Sequence, residues 1–242
     1  HWSKLELDID NKLPKNIMIN PSLKQLQTGI FLENIPLSYE YKKSEMLLNL
    51  QQKVGYIFDG IPTLLPIPNE APPEIPRIIL RAKSNIYLCN IGLNRVDVFY
   101  SPTDGKTTVA SLLDHRNNSL KIFDFLKSQS LSVQRMGYVG RYENQQENEI
   151  DYIQSSLMKE KTADLKELSI RFNKSAVLPQ ISDLNQILEI ATIKDSNLMS
   201  ILIDINTVEK TANNFTLTQF EVFIDAAMDI NAGWLESFPN LK

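Results

Sequence analysis

The residues most suggestive of chemistry form a short loop that ends in Gly105, Lys106 and Thr107. In a phosphate-binding P-loop, G-x-x-x-x-G-K-[ST], backbone amides surround the phosphates while the Lys and the hydroxyl contact phosphate and magnesium. The match is incomplete, because Tyr100 stands where the first glycine belongs and Pro102 removes a backbone amide. Asp204, which ends an apolar run, is a candidate magnesium ligand. The loop therefore predicts either a nucleotide-binding enzyme with a degenerate P-loop or a plain Asp-Gly turn before a helix.

A second candidate segment mixes glycines with two tyrosines and two arginines. In a strand, successive side chains alternate between faces, so Tyr138 and Tyr142 share one face while Arg135 and Arg141 share the other. An RNA platform needs its aromatic and basic groups on the same face, so the pattern favours a structural strand over an RNA-binding one. The alternative is a small-molecule site in a cavity between sheet and helix, with Tyr138 and Tyr142 as its first contacts.

Few other residues suit catalysis. His115 is the only histidine after the first residue, and its charged neighbours Asp114 and Arg116 predict a solvated side chain on a helix. Cys89, the sole cysteine, lies within a predicted strand and suits a small core position. Because histidines and cysteines do not occur in pairs, the sequence offers no zinc ligand set. We therefore expect neither a metal nor a cofactor, and favour a protein that is not an enzyme.

Composition narrows the classes of partner. The 242 residues carry a formal net charge of -4, whereas general nucleic-acid or anionic-membrane surfaces need clustered Lys and Arg. No apolar run reaches the roughly 18 residues needed to span a bilayer. One cysteine excludes an intrachain disulfide, and the first residues lack the apolar stretch of a signal peptide. We therefore expect a cytoplasmic protein without membrane or nucleic-acid partners.

The elements that position these residues are clearest at the C-terminus. The segment formed by residues 198–206 is short, apolar and rich in isoleucine, which predicts a buried strand. Thr216 and Gln219 then have the spacing of a helix capping box. Apolar residues follow at three- and four-residue spacing, which predicts a long amphipathic helix that needs a sheet to cover: Phe220, Ile224, Ala227, Trp234 and Phe238.

The earlier chain begins with less regular patterns. Alternation predicts strands at residues 4–10 and 37–41, helical spacing predicts a helix from about residue 44, and residues 29–36 are ambiguous. Residues 62–76 hold half of the 12 prolines and predict an ordered, polyproline-like connection, or alternatively a docking motif for an aromatic groove.

After that connection the pattern is regular. Three strands are followed by a helix over residues 109–126, which Asn117 and Asn118 are expected to break in two. A further strand and a short helix lead to three more strands and the terminal helix. The predicted strands are 77–82, 86–91, 95–100, 132–142, 168–172, 185–193 and 199–205, and the short helix is 149–158.

Strand, strand, strand, helix therefore occurs twice, over residues 77–128 and 167–238. We predict an α+β fold in which one or more antiparallel sheets are covered by long amphipathic helices, built as two similar βββα units. The expected parts are an N-terminal region of strands and helix, the proline-rich connection, and two units within one globule: residues 1–61, 62–76, 77–143 and 144–242.

The C-terminal part of the chain resembles a widespread family of uncharacterised bacterial proteins of about this size. The resemblance lies in the closing strand at residues 202–206 and in the helix that carries residues 223–225 and 234–238. In that family an LLLDID-like strand likewise precedes a helix that ends in a Trp or Phe pattern. The resemblance covers mainly the last 40 or so residues. It implies a duplicated strand-strand-strand-helix fold, but no site, because the family has no established activity.

Three functions remain as hypotheses. The favoured one is a non-enzymatic protein-interaction or self-assembly module, because a coherent catalytic constellation is missing and the helical faces are broad enough for both a core and an interface. The alternatives are the small-molecule-binding protein with Tyr138 and Tyr142, and the nucleotide-binding enzyme with Gly105, Lys106 and Thr107.

Overall fold

A computed structural model describes residues 21–33, 40–103, 108–145, 148–158, 165–194, 196–208 and 214–237. These residues form nine strands and four helices. In chain order they are β1 (Ser22–Leu32), α1 (Glu40–Val54), β2 (Thr63–Leu64), β3 (Ile78–Arg81), β4 (Tyr87–Ile91), β5 (Arg95–Tyr100), α2 (Val109–Ser128), β6 (Val133–Gln145), α3 (Glu149–Leu157), β7 (Ser169–Leu178), β8 (Ser182–Thr192), β9 (Leu198–Thr207) and α4 (Leu217–Ser237).

All nine strands belong to one sheet, in the order β2-β3-β4-β5-β1-β6-β9-β8-β7. Every pair of neighbouring strands is antiparallel. The central pair is β1 with β6, where Gly29 lies opposite Gly137. The predicted α+β class with an antiparallel sheet and long helices is confirmed.

The central strand β1 is the element that sequence reasoning misses. The sequence assigns nothing to residues 29–36 and predicts a strand at residues 37–41, yet β1 ends at Leu32 and residues 40 and 41 begin helix α1. The remaining residues of that predicted strand, and the strand predicted at residues 4–10, lie outside the described residues. Polar Gln27 and Thr28 are both buried in β1, so the contrast between buried apolar and exposed polar positions disappears there.

Helices α2 and α4 pack on one face of the sheet, which we call the covered face. The register places its buried side chains at alternate positions of the central strands. They include Leu26, Thr28, Ile30, Val96, Val98, Tyr138, Tyr142, Ile203 and Ile205. The two helices also contact each other through the stacked rings of Phe123 and Phe220, whose centroids are 4.3 Å apart. The core therefore lies between this helix pair and the sheet.

Helix α2 is continuous, and the predicted break at Asn117 and Asn118 is wrong. Neither asparagine is buried. Asn117 Oδ1 accepts from Arg116 Nη1 over 3.4 Å and Asn118 is hydrogen bonded to the Tyr87 side chain, so these amides do not compete for the helix backbone. The helix begins at a cap in which Ser111 N donates to Thr108 Oγ1 over 3.1 Å and Thr108 N donates to Ser111 Oγ over 3.0 Å. These two bonds satisfy amides that a helix start leaves without partners.

Helix α4 matches its sequence prediction. Thr216 N donates to Gln219 Oε1 over 3.0 Å and Gln219 N donates to Thr216 Oγ1 over 3.3 Å, which is the predicted capping box. Its buried side chains are Phe220, Phe223, Ile224, Ala227, Asn231 and Trp234, whereas Phe238 lies outside the described residues. Across the part of the chain that the structure describes, no helix combines the length and apolar character that a membrane crossing requires.

The proline-rich connection folds around one arginine. The Arg77 side chain is only 1% exposed, and its guanidinium donates to backbone carbonyls of the connection. The acceptors are Pro72 O at 2.9 Å, Ala71 O at 3.1 Å, Pro68 O at 3.3 Å and Ile75 O. The guanidinium carries five N–H donors in a fixed fork, so one side chain can bond several carbonyls. In a segment without regular structure these carbonyls would otherwise have no hydrogen-bond partner.

Candidate functional site

The face of the sheet opposite α2 and α4 carries a hydrogen-bonded cluster of polar side chains, which we call the polar face. Its residues alternate with those of the covered face on five neighbouring strands, β5, β1, β6, β9 and β8. They are Gln25, Gln27, Phe31, Arg95, Asp97, Arg135, Arg141, Asn185, Asp204 and Asn206. The same strands therefore present an apolar surface to the helices and a polar surface to the other side.

One chain of hydrogen bonds crosses from β5 through β1 to β6. Arg95 Nε lies 2.9 Å from Asp97 Oδ1 and 2.8 Å from its Oδ2. Gln27 Nε2 donates to the same Asp97 Oδ1 over 2.8 Å. Arg141 Nη1 donates to Gln27 Oε1 over 2.9 Å and to Gln25 Oε1 over 3.1 Å. These hydrogen bonds hold the side chains of the chain in fixed positions relative to each other.

A second chain runs from β6 across β9 to β8. Arg135 Nη2 donates to Asn206 Oδ1 over 3.0 Å, and Asn206 Nδ2 donates to Asp204 Oδ1 over 3.1 Å. Asn185 Nδ2 donates to the same Asn206 Oδ1 over 3.4 Å. Asn206 is only 4% exposed, so it acts as a buried hub that orients the Arg135 guanidinium.

Phe31 lies between the two chains of hydrogen bonds. The guanidinium carbons of Arg95 and Arg135 are 4.7 Å and 4.9 Å from its ring centroid, within the range of cation–π attraction. The ring also covers Gly29 and Gly137, since a Cβ added at these positions would lie 3.3 Å and 3.8 Å from Phe31 Cε2. The glycines allow the aromatic ring to lie down on the sheet, where it supports both arginines.

The three arginines of the hydrogen-bonded cluster differ in how their charge is balanced. Arg95 forms an ion pair with Asp97. Within the described residues, no carboxylate lies within ion-pair distance of Arg135 or Arg141, whose described acceptors are side-chain amides. Burial lowers the pKa of Arg141, and the positive charge of Arg95 adds to this effect, while Asp204 and Asp97 oppose it. Arg141 is thus a partly dehydrated cation whose nearest acceptors are neutral.

This arrangement is suited to recognition. Guanidinium groups bind carboxylate and phosphate oxygens through two parallel hydrogen bonds, and these are stronger than bonds between neutral groups. The arginines are already oriented by amides and by an aromatic ring, so less side-chain entropy is lost when they bind. The polar face can therefore hold an anionic group without rearrangement of its own side chains.

The tyrosines predicted to contact a small molecule lie on the covered face. Tyr138 is 1% exposed and Tyr142 is 5% exposed. Asn231 Nδ2 of α4 donates to the Tyr142 hydroxyl oxygen over 2.6 Å. Burial raises the pKa of Tyr142 to about 12, while this hydrogen bond opposes the shift. Both tyrosines thus take part in sheet–helix packing, and a small-molecule site there remains a prediction.

His115 is buried, so the prediction that its side chain is solvated is wrong. It is 1% exposed, and its Nε2 is hydrogen bonded to Thr28 Oγ1 of β1 over 3.0 Å. Ser119 Oγ donates to the same Thr28 hydroxyl over 3.1 Å. Burial lowers the pKa of His115 to about 3. The charged neighbours in sequence misled the prediction, because position 115 faces the sheet while Arg116 faces α4.

The other predicted residues divide into two groups. Gly105, Lys106 and Thr107 lie outside the described residues, immediately before the cap residue Thr108. Asp204, the candidate magnesium ligand, belongs to the polar face, where Asn206 donates to it. Cys89 is buried in β4, which confirms the prediction of a small core residue.

Sequence reasoning found Arg135 and Arg141 but not the site around them. Their separation from Tyr138 and Tyr142 is confirmed by the register of β6. The aromatic partner comes instead from the neighbouring strand, since Phe31 of β1 lies directly opposite Arg135. The signal for β1 is weak, because in residues 25–31 the alternation of Gln, Gln, Gly and Phe with Leu, Thr and Ile does not separate polar from apolar residues.

Comparison of the chain with protein-family models and with curated protein sequences gave no match.

Proposed function

We propose that this chain is a protein-interaction module that docks a partner protein on the polar face, and that it is not an enzyme. One observation carries the proposal: two oriented arginines, Arg135 and Arg141, lie on one strand with neutral acceptors, inside a hydrogen-bonded cluster on a sheet face. Such groups are placed to bind another molecule.

The composition of the polar face supports a protein as the bound molecule. Arg and aromatic residues are enriched at the centres of protein–protein interfaces and supply most of the binding free energy there. Phe31 lies at the centre of this face between Arg95 and Arg135. Val139 and Leu202 are half-buried neighbours on the same face and supply apolar contact area between the polar groups.

We also propose that the sheet is built from two similar units. Strands β3, β4 and β5 form a meander followed by α2, and β7, β8 and β9 form a meander followed by α4. Read from each edge inwards, the two meanders end beside β1 and β6 respectively. The symmetric order supports a duplication about the β1–β6 pair, which places the polar face at the junction of the two units.

Site-specific photo-crosslinking in the cells that make the protein tests the docking proposal. A photoreactive amino acid replaces Leu202, which lies next to Arg141 on the polar face. The matched control replaces Leu113, which is 47% exposed on the outer side of α2. Both positions carry a leucine, so the two probes differ mainly in the side of the molecule that they report.

We expect the photoreactive residue at position 202 to yield a discrete protein adduct, and the one at position 113 to yield none. An adduct with twice the mass of the chain would identify the partner as a second copy, which is the self-assembly form of the proposal. If Leu113 captures the partner and Leu202 does not, the helices are the docking surface and the proposal is wrong. The same conclusion follows if neither position yields a protein adduct.

A further inference from the structure

We infer that the partner presents carboxylate side chains, from Asp or Glu, to Arg135 and Arg141. This inference rests on the proposed function and specifies the chemistry of the segment that the polar face binds. The segment is acidic and extended enough to reach both arginines, which are six positions apart on β6 and hence about 20 Å apart along the strand.

Charge balance is the first reason. Of the three arginines in the hydrogen-bonded cluster of the polar face, only Arg95 has a carboxylate partner among the described residues. Arg135 and Arg141 donate to the oxygens of Asn206, Gln25 and Gln27. A neutral amide oxygen compensates a guanidinium charge only in part, so each arginine gains a stronger, charge-assisted bond when a carboxylate arrives.

The orientation of Arg135 is the second reason. Its Nη2 is fixed on Asn206 and its guanidinium lies over the ring of Phe31. Its Nε is buried and has no hydrogen-bond partner in the part of the chain that the structure describes. A buried donor without an acceptor costs free energy. Asn206 Oδ1 is the one acceptor that the described residues provide for this guanidinium, so a carboxylate of a partner adds an acceptor that the described residues do not supply.

The two aspartates favour protein carboxylates over a nucleic-acid backbone. Asp97 and Asp204 lie beside the arginines on the same face, and the whole chain carries a net charge of -4. A phosphodiester strand carries one charge per nucleotide and would meet these aspartates as well as the arginines. Separate carboxylates on a peptide can contact the arginines individually and leave the aspartates in contact with water or with polar side chains.

Fluorescence anisotropy with defined probes tests the inference. The probe is a fluorescein-labelled peptide of alternating Glu and Thr, with an alternating Gln and Thr peptide and a single-stranded oligonucleotide as comparison probes. The variants are R135Q and R141Q, with R171Q as the matched control. Arg171 is exposed on β7, on the same face and in register with Arg141 through Leu202 and Glu189.

We expect the Glu peptide to bind and the Gln peptide not to bind at low salt. R135Q and R141Q should each weaken binding about tenfold, which corresponds to the loss of one charge-assisted hydrogen bond, while R171Q leaves it unchanged. D204N should tighten binding about threefold, because a repulsive charge near Arg141 is removed. A purely structural role for these side chains would not produce opposite effects for Arg and Asp.

Several results would overturn the inference. In the first, R171Q weakens binding of the Glu peptide as much as R135Q and R141Q do, which would mean general charge attraction. In the second, the oligonucleotide binds more tightly than the Glu peptide. If Leu202 crosslinks to a protein but the Glu peptide does not bind, the carboxylate inference fails and the proposed docking surface stands. If the Glu peptide does not bind and position 202 also yields no protein adduct, the carboxylate inference and the proposed docking surface are both wrong.

Discussion

The two faces of the sheet are made by the same strands but have opposite physical characters. On β1, Leu26 and Ile30 are fully buried against the helices, whereas Gln27 and Phe31 on alternate positions meet Asp97, Arg95 and Arg135. Burial of apolar area drives folding, at roughly 25 cal/mol per Å². Exposed or half-exposed ion pairs contribute only about 0–1 kcal/mol each. The covered face therefore supplies most of the stability of the fold, and we propose that the polar face serves recognition.

The largest expected difference between the two faces is in the loss of stability when a phenylalanine of each face is replaced by alanine. Phe220→Ala removes a ring that is fully buried and stacked on Phe123, so we expect a loss of about 3–5 kcal/mol in the free energy of unfolding. Phe31→Ala removes a half-buried ring with two cation–π contacts and should cost about 1–2 kcal/mol. Urea unfolding followed by circular dichroism measures both. Equal losses would show that the polar face is as important for folding as the core.

The next contrast is a pH dependence that originates in the covered face. The pKa of His115 is lowered to about 3 in the fold, against about 6.5 in the unfolded chain. The unfolded state therefore binds more protons below pH 6.5, and stability is lost as the pH falls from 6.5 towards 3. Each pH unit in this window costs about 1.4 kcal/mol, or about 2 kcal/mol at pH 5.

Urea titrations at pH 7 and pH 5 measure this loss, with His115→Gln as the control. Carboxylates that become protonated contribute to both proteins, so the difference in slope isolates the histidine. The neighbouring ring of Tyr138 does not change charge in this range, because burial raises its pKa. A variant with the same slope as the original protein would rule out the buried histidine as the source.

A smaller effect is expected at the hydrogen bond between sheet and helix α4. Tyr142→Phe removes the acceptor of Asn231 Nδ2, and Asn231 Oδ1 is already buried without a partner among the described residues. Leaving a buried amide with fewer partners costs about 1–3 kcal/mol. We expect about 1–2 kcal/mol by urea unfolding. No measurable loss would mean that water satisfies the Asn231 amide.

Helix α4 of the covered face could be predicted from sequence. The capping pair Thr216 and Gln219 and the apolar spacing of residues 220–234 fixed the position and the buried side of α4. Local hydrogen bonds and hydrophobic periodicity act over a few residues, so they are visible in a single segment. The same holds for the alternation that identified β3, β4 and β5.

The polar face could not be predicted, because it depends on which strands are neighbours. Arg135 of β6 and Phe31 of β1 are distant in sequence and meet only through the central pairing. The buried Gln27 and Thr28 also hide β1 from a search for alternating apolar and polar residues. His115 was misjudged for a similar reason, since its partner Thr28 belongs to that unrecognised strand.

The measurement that tests the central claim most directly is a double variant, Arg135→Thr with Arg141→Thr, examined for folding and for docking. Thr has high strand propensity and is neutral. Since the buried amides of Asn206 and Gln27 each lose one donor, we predict a loss of about 1–3 kcal/mol in the free energy of unfolding, together with loss of the protein adduct at position 202. A loss of more than about 4 kcal/mol, or an unchanged adduct in a folded variant, would contradict the assignment of the polar face to recognition.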